Sequence, residues 1–86
     1  MGDGYMTEEE VEQVGMEFFA VVEEGKEVLV NKMMEDFSHV LLSYKDEMSR
    51  TALHVACQRG HVGVVRLLLR KGFDPAERDD VGSTPM

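Results

Sequence analysis

The stretch Asp46-Glu47-Met48-Ser49-Arg50-Thr51-Ala52-Leu53-His54 decides the reading of this chain, because its anchor residues return. Asp46, Thr51 and Leu53 recur as Asp79, Thr84 and Met86, each 33 residues on. Between the copies lie Ala56-Cys57-Gln58-Arg59-Gly60-His61, Val64-Val65-Arg66-Leu67-Leu68-Leu69 and Gly72-Phe73-Asp74-Pro75. Recurrence at a fixed period of this size predicts a solenoid of stacked supersecondary units. Thr51 is a candidate N-cap for a short helix from Ala52 to Arg59, and Gly60 closes it. Residues 62–71 make a second helix, on which Val64, Val65, Leu67, Leu68 and Leu69 form a broad apolar face. Arg70 and Lys71 occupy its last turn, where positive charge is favoured, before Gly72 ends it. Asp74-Pro75 then forces the chain into an extended turn.

Toward the N-terminus, Thr7-Glu8-Glu9-Glu10 reads as a capping box, with Thr7 as N-cap and Glu10 reaching back to its amide. Val11, Val14, Phe18, Val21 and Val22 follow at helical spacing. Gly15 interrupts them at a cost of about 1 kcal/mol relative to Ala, so one kinked helix or two short ones both fit. Gly25 stops that run. A second run offers Val28, Leu29, Val30, Met33, Met34 and Phe37 for burial. Ser38 to Tyr44 has the β-branched and aromatic content of an extended connection, and Lys45 to Arg50 the polarity of a turn. Residues 1–6 should fray.

Composition narrows the function. Eighty-six residues allow one small domain, and the 43% apolar fraction argues against wholesale disorder. Cys57 stands alone, which excludes an internal disulfide and suits a reducing compartment. No basic leader and no long apolar run appear, so neither a signal peptide nor membrane insertion is expected. An intracellular location, cytoplasmic or nuclear, follows as the expectation. Residues 1–36 carry a net charge of −9 and residues 37–86 a net of +1. Such a front half repels phosphate backbones and speaks against nucleic acid. It reads either as a solvated helix face or as a patch that steers a basic partner.

Thr51-Ala52-Leu53-His54 resembles the Thr-Pro-Leu-His that opens the first helix of the ankyrin repeat. Thr84-Pro85-Met86 opens a further copy with the proline restored. The resemblance implies an all-α helix–turn–helix solenoid with β-turn or hairpin loops. Each unit has a β-turn, two antiparallel helices and a return loop, with the Thr51 and His54 side chains bonding the turn to the helix start. Leu53, Gly60, His61 and Gly72 match further motif positions. Ala52 lacks the proline that pre-sets φ, and Ser49 replaces the turn glycine that returns as Gly82. Phe73 stands where a small alanine is usual and needs a larger pocket or an exposed ring. Placing Gly25 on Gly60 superposes Leu29-Val30 on Val64-Val65 and Met33-Met34 on Leu68-Leu69. Phe37 then replaces the closing glycine.

The resulting organisation is an N-terminal extension over 1–15, a divergent capping repeat over 16–45, a full repeat over 46–78 and the start of another over 79–86. One cap and one full repeat are fewer than the three or so that such folds need. Further repeats are therefore expected beyond Met86, and the chain reads as a fragment of a longer protein, a truncated gene product or half of a complex.

Catalytic and metal chemistry find little support. His54-x-x-Cys57 puts two potential ligands one helical turn apart, but a structural zinc site needs four, and His39 and His61 have no paired spacing. No third group orients a Cys57–His54 pair for nucleophilic attack. Thr7-Glu8-Glu9-Glu10 followed by Phe18-Phe19 lacks any calcium-binding loop after it. No cofactor is expected. The resemblance implies a non-catalytic protein-interaction scaffold or adaptor. Its partner, a protein or peptide, would meet Glu47, Met48 and Arg50 on one turn and Arg78, Asp80, Val81 and Ser83 on the next. Gln58 and Arg59 on the first helix, with Glu23 and Glu24 in the cap, complete the strip. The alternative is a regulatory or targeting segment of a larger enzyme, channel or ubiquitin-ligase adaptor.

Overall fold

A computed structural model describes residues 7–85. Four helices follow in order: α1 (Glu8–Glu24), α2 (Glu27–Leu41), α3 (Ala52–Arg59) and α4 (Val62–Arg70), with no strand among the described residues. The fold is all-α. Helices α1 and α3 pack side by side, as do α2 and α4, and each first helix packs on its own second helix. The expected fraying of residues 1–6 lies outside the described residues.

The helix ends are built from the residues that the local chemistry singles out. Thr7 accepts from the Glu10 amide at 3.2 Å while Glu10 Oε1 takes the Thr7 amide at 2.8 Å. This capping box satisfies two otherwise orphaned donors. Gly25 and Gly60 close α1 and α3 with φ of 73° and 75°, the left-handed conformation that glycine adopts without a Cβ clash.

Between Thr7 and Gly25 the chain forms one continuous helix of 17 residues, so Gly15 does not divide it. It is buried, with the Tyr44 ring lying where a β-carbon would project. That ring meets Phe19 edge-on at 5.4 Å. Gly15 thus trades helix propensity for an aromatic contact between α1 and the connection after α2.

The extended connection expected over Ser38–Tyr44 needs correction. Helix α2 continues to Leu41, with a kink at Phe37 (φ −133°, ψ 30°), the position counted as the missing closing glycine. A residue with a β-carbon does not take the left-handed stop readily, so the helix bends and resumes for one more turn. That turn carries Leu41 into the core.

The core gathers Phe18 and Val22 from α1, Val30, Met34 and Leu41 from α2, Ala52, Leu53, Val55 and Ala56 from α3, Val64 and Leu68 from α4, and Phe73. Each large side chain so buried contributes roughly 1.5–3 kcal/mol. Phe73 finds the larger pocket: its ring stacks on Phe18 with centroids 6.5 Å apart. Val28 and Leu29, available for burial by their apolar character, are instead 82% and 45% exposed. Before the kink, the buried positions of α2 are Val30 and Met34, five and nine residues after Gly25. Those of α4 are Val64 and Leu68, four and eight after Gly60. The one-residue offset turns the buried stripe by about 100° around the helix axis. Helices α2 and α4, which pack on each other, thus bury different flanks.

Candidate functional site

Two loops with nearly the same internal bonding stand beside each other at one edge of the helices. In the first, the Asp46 amide donates to the Arg50 carbonyl at 3.1 Å and the Ser49 amide to the Asp46 carbonyl at 2.9 Å. Asp46 Oδ1 accepts from the Met48 and Arg50 amides, both at 2.9 Å. In the second, the Asp79 amide donates to the Ser83 carbonyl and the Gly82 amide to the Asp79 carbonyl, each at 3.0 Å. Asp79 Oδ1 accepts from Val81 at 3.1 Å and from Ser83 at 2.8 Å. A short carboxylate that bonds backbone amides two and four residues ahead closes both turns, which is why aspartate recurs there. Ser49 and Gly82 occupy the matching left-handed positions at φ 61° and 82°.

The two turns are tied to each other and to α3. The Asp80 amide donates to the Met48 carbonyl at 3.0 Å. Below them, Thr51 and His54 form a second capping box. The Thr51 amide donates to His54 Nδ1 at 3.1 Å, and the His54 amide to Thr51 Oγ1 at 3.4 Å. His54 Nε2 lies 3.0 Å from the Ser83 carbonyl. Nδ1 must accept from the Thr51 amide, so the proton resides on Nε2 and is donated to Ser83. His61 plays a related part in front: its Nε2 sits 2.8 Å from the Glu23 carbonyl, in the last turn of α1. Leu53 is buried beside these groups, and Gly72 takes φ 109° after α4.

These bonds leave no chemistry to the His54–Cys57 pair. Both ring nitrogens of His54 are occupied, and burial pushes the half-buried Cys57 thiol up, away from the reactive thiolate. Among the described residues, no three His, Cys, Asp or Glu side chains converge to hold a metal ion. No described helix is long and apolar enough to cross a membrane.

The residues singled out for partner contact fall into a connected strip. Met48 and Val81 are 49% and 75% exposed on adjacent turns, with Glu47, Arg78, Asp80 and Ser83 exposed around them. Arg50 is half-buried: its Nε donates to Asp46 Oδ2 at 2.8 Å and Nη1 to Gln58 Oε1 at 3.4 Å. Arg59 approaches Glu23 at 3.7 Å, linking α3 to α1, while Glu24 pairs with Lys26 at 3.0 Å.

One feature beside this strip escapes a reading by motif. A groove of about 460 Å³ lies between α1 and the first turn, lined by Glu12, Met16, Tyr44, Glu47 and Met48. Lys45 and Arg50 also line it, but Lys45 is engaged by Glu77 at 2.7 Å and Arg50 by Asp46. Burial raises the Tyr44 hydroxyl above its ordinary value, and the carboxylates of Glu12, Asp46 and Glu47 push it further the same way. Burial also acts to raise the Asp46 carboxyl, but hydrogen bonds from the Arg50 and Met48 amides and the Arg50 guanidinium outweigh it. They hold that carboxyl below the usual range.

Residues 48–80 match the family model described as "Ankyrin repeat". The chain is 42% identical over 45 residues to human ankyrin repeat domain-containing protein 63, covering 52% of this chain and 12% of that protein. It is 47% identical over 45 residues to the rat 26S proteasome non-ATPase regulatory subunit 10, covering 52% of this chain and 20% of the relative. Protein HOS4 of Saccharomyces cerevisiae is 39% identical over 59 residues, which span 60% of this chain and 5% of HOS4. The chain thus spans a fifth or less of these relatives. Ankyrin repeats are modules of protein–protein interaction. The turn-and-helix-pair geometry and the family match coincide, and residues 48–80 of this chain are an ankyrin repeat.

Proposed function

We propose that the chain works as a non-catalytic interaction module, a scaffold or adaptor segment. Its partner surface is the strip formed by Glu47, Met48 and Arg50, the adjoining Arg78, Asp80, Val81 and Ser83, and Gln58, Arg59, Glu23 and Glu24. The observation that carries this reading is the bond between Asp80 and Met48, which sets two rigid turns edge to edge and holds exposed apolar tips above charged neighbours. Apolar tips within a polar rim are the composition that protein partners use. An intracellular setting agrees with the single free thiol and with a relative named as a proteasome regulatory subunit.

On this reading residues 16–45 serve as a divergent cap and further repeats follow the turn at 79–83. Support comes from α4. Counted from the glycines, Val65 and Leu69 occupy the positions of Val30 and Met34, which are fully buried, yet they are only half-buried. A following helix pair would cover them in turn.

The test is site-specific photocrosslinking of the full chain in cell extract. A photoreactive residue at Met48 or Val81 should yield protein adducts, and one at Val28 on the outer layer should not. Equal labelling at all three positions would remove the proposed surface.

A further inference from the structure

We propose that the groove between α1 and the first turn receives a basic peptide segment carrying at least one apolar side chain. This inference rests on the interaction-module reading and names the class of partner at the α1 end of its strip.

The groove falls within the roughly 300–1,000 Å³ that ligand clefts span. Its apolar lining is Met16, 60% exposed, facing the same space as Met48. Two unbranched thioethers adapt to side chains of varied shape, which suits a peptide more than a rigid small molecule.

Charge selects the kind of peptide. The two cations that line the groove are already taken, Lys45 by Glu77 and Arg50 by Asp46. Glu12 and Glu47 have no cationic partner among the described residues. Asp46, paired with Arg50, lines the same groove, and the pair adds no free cation to it. An arriving Lys or Arg would find two exposed carboxylates and no competing cation, and charge-assisted bonds of this type are the stronger kind. The −9 of residues 1–36 extends the field outward and favours the encounter with a cationic segment over an acidic one.

Helix α1 makes the groove possible. Counted back from the closing glycines, the stretch matching the turn at 46–50 is residues 11–15, and there the chain is helical. The helix carries Glu12 and Met16 alongside the turn, and the Tyr44 ring over Gly15 fixes the distance between them.

The experiment is selection of a random dodecapeptide phage library on the full 86-residue chain. Anisotropy titrations of the enriched peptides follow, at low and moderate salt. Net-positive peptides with an apolar residue should dominate. The double variant Glu12→Lys/Glu47→Lys should weaken them about tenfold and flatten their salt dependence. Glu35→Lys/Asp36→Lys, the same charge change outside the groove, should alter binding less than twofold, and circular dichroism should show both variants equally helical. Equal loss from both variants would reduce the effect to bulk charge and overturn the groove. Enriched peptides that are neutral or acidic, or that respond to Val81→Glu but not to the groove variant, would overturn it while leaving the interaction module standing. A selection that enriches nothing would count against both.

Discussion

The two helix pairs share a plan and differ in which flank they bury. Each pair has a first helix closed by a left-handed glycine and a second helix two residues later. In α2 the covered stripe is Val30 and Met34, and in α4 it is Val64 and Leu68, one residue out of step. Apolar pattern alone assigns the same residues to both helices. The neighbour decides which of them the water loses, so burial in a stacked fold belongs to the stack and not to the single unit.

Substitutions at equivalent positions can break that comparison. Met34→Ala should cost about 2–5 kcal/mol in urea unfolding, because the side chain is fully enclosed in the core. Leu69→Ala, at the matching place on α4, should cost about 1 kcal/mol or less, since that side chain is only partly buried. Equal costs would mean that the flanks are not distinguished. Appending two consensus ankyrin repeats should raise the cost at Leu69 toward that at Met34.

The next effect concerns the anchors of the turns. His54→Ala removes the acceptor of the Thr51 amide and the donor to Ser83, and should lose about 2 kcal/mol. Phe19 occupies the matching position on α1, where no turn needs holding. Gly15→Ala should destabilise by about 1 kcal/mol even though helix propensity favours alanine, because the new methyl group displaces Tyr44. A gain in stability on thermal melting would show that the ring moves aside freely.

The two turns themselves predict a small reciprocal pair. Ser49→Gly should stabilise by about 0.5–1 kcal/mol and Gly82→Ser should destabilise by a similar amount, since both positions are left-handed. Melting temperatures moving in the same direction for both would contradict the shared geometry. The last effect is pH dependence. The folded state holds Asp46 below its ordinary value of 3.8. Its contribution is therefore complete above that value and fades as pH falls through the lower folded one. Asp46→Asn should flatten the acid limb of unfolding free energy against pH, and an unchanged limb would assign acid sensitivity elsewhere.

Much of this architecture was legible from local chemistry. Thr7, Gly25, Thr51 and Gly60 end helices by bonds or conformations confined to a few neighbouring residues, so the sequence states them directly. The left-handed turn at Ser49 could be read from Gly82 one period later. The last turn of α2 could not be read in this way: Ser38 to Leu41 resembles an extended segment, and its helicity depends on a core that receives Leu41. Val28 and Leu29 were misleading for the related reason that no neighbour arrives on their side. The proposed contact strip was traced from the repeat, whereas the groove beside it was not. Its shape depends on Tyr44 resting on Gly15, a meeting of residues far apart in the chain. The aromatic residue and the glycine were visible separately, with no signal that they belong together.

The bond from His54 Nε2 to the Ser83 carbonyl turns one imidazole into a built-in reporter. Its proton is sheltered by a side chain that is 2% exposed and is shared with the second loop. In a nitrogen-edited NMR spectrum it should appear as a slowly exchanging ring resonance, distinct from those of His39 and His61. The rate at which it trades with deuterium measures how often the second loop lifts from α3. The opening of this junction can therefore be timed in the unaltered chain, one proton at a time.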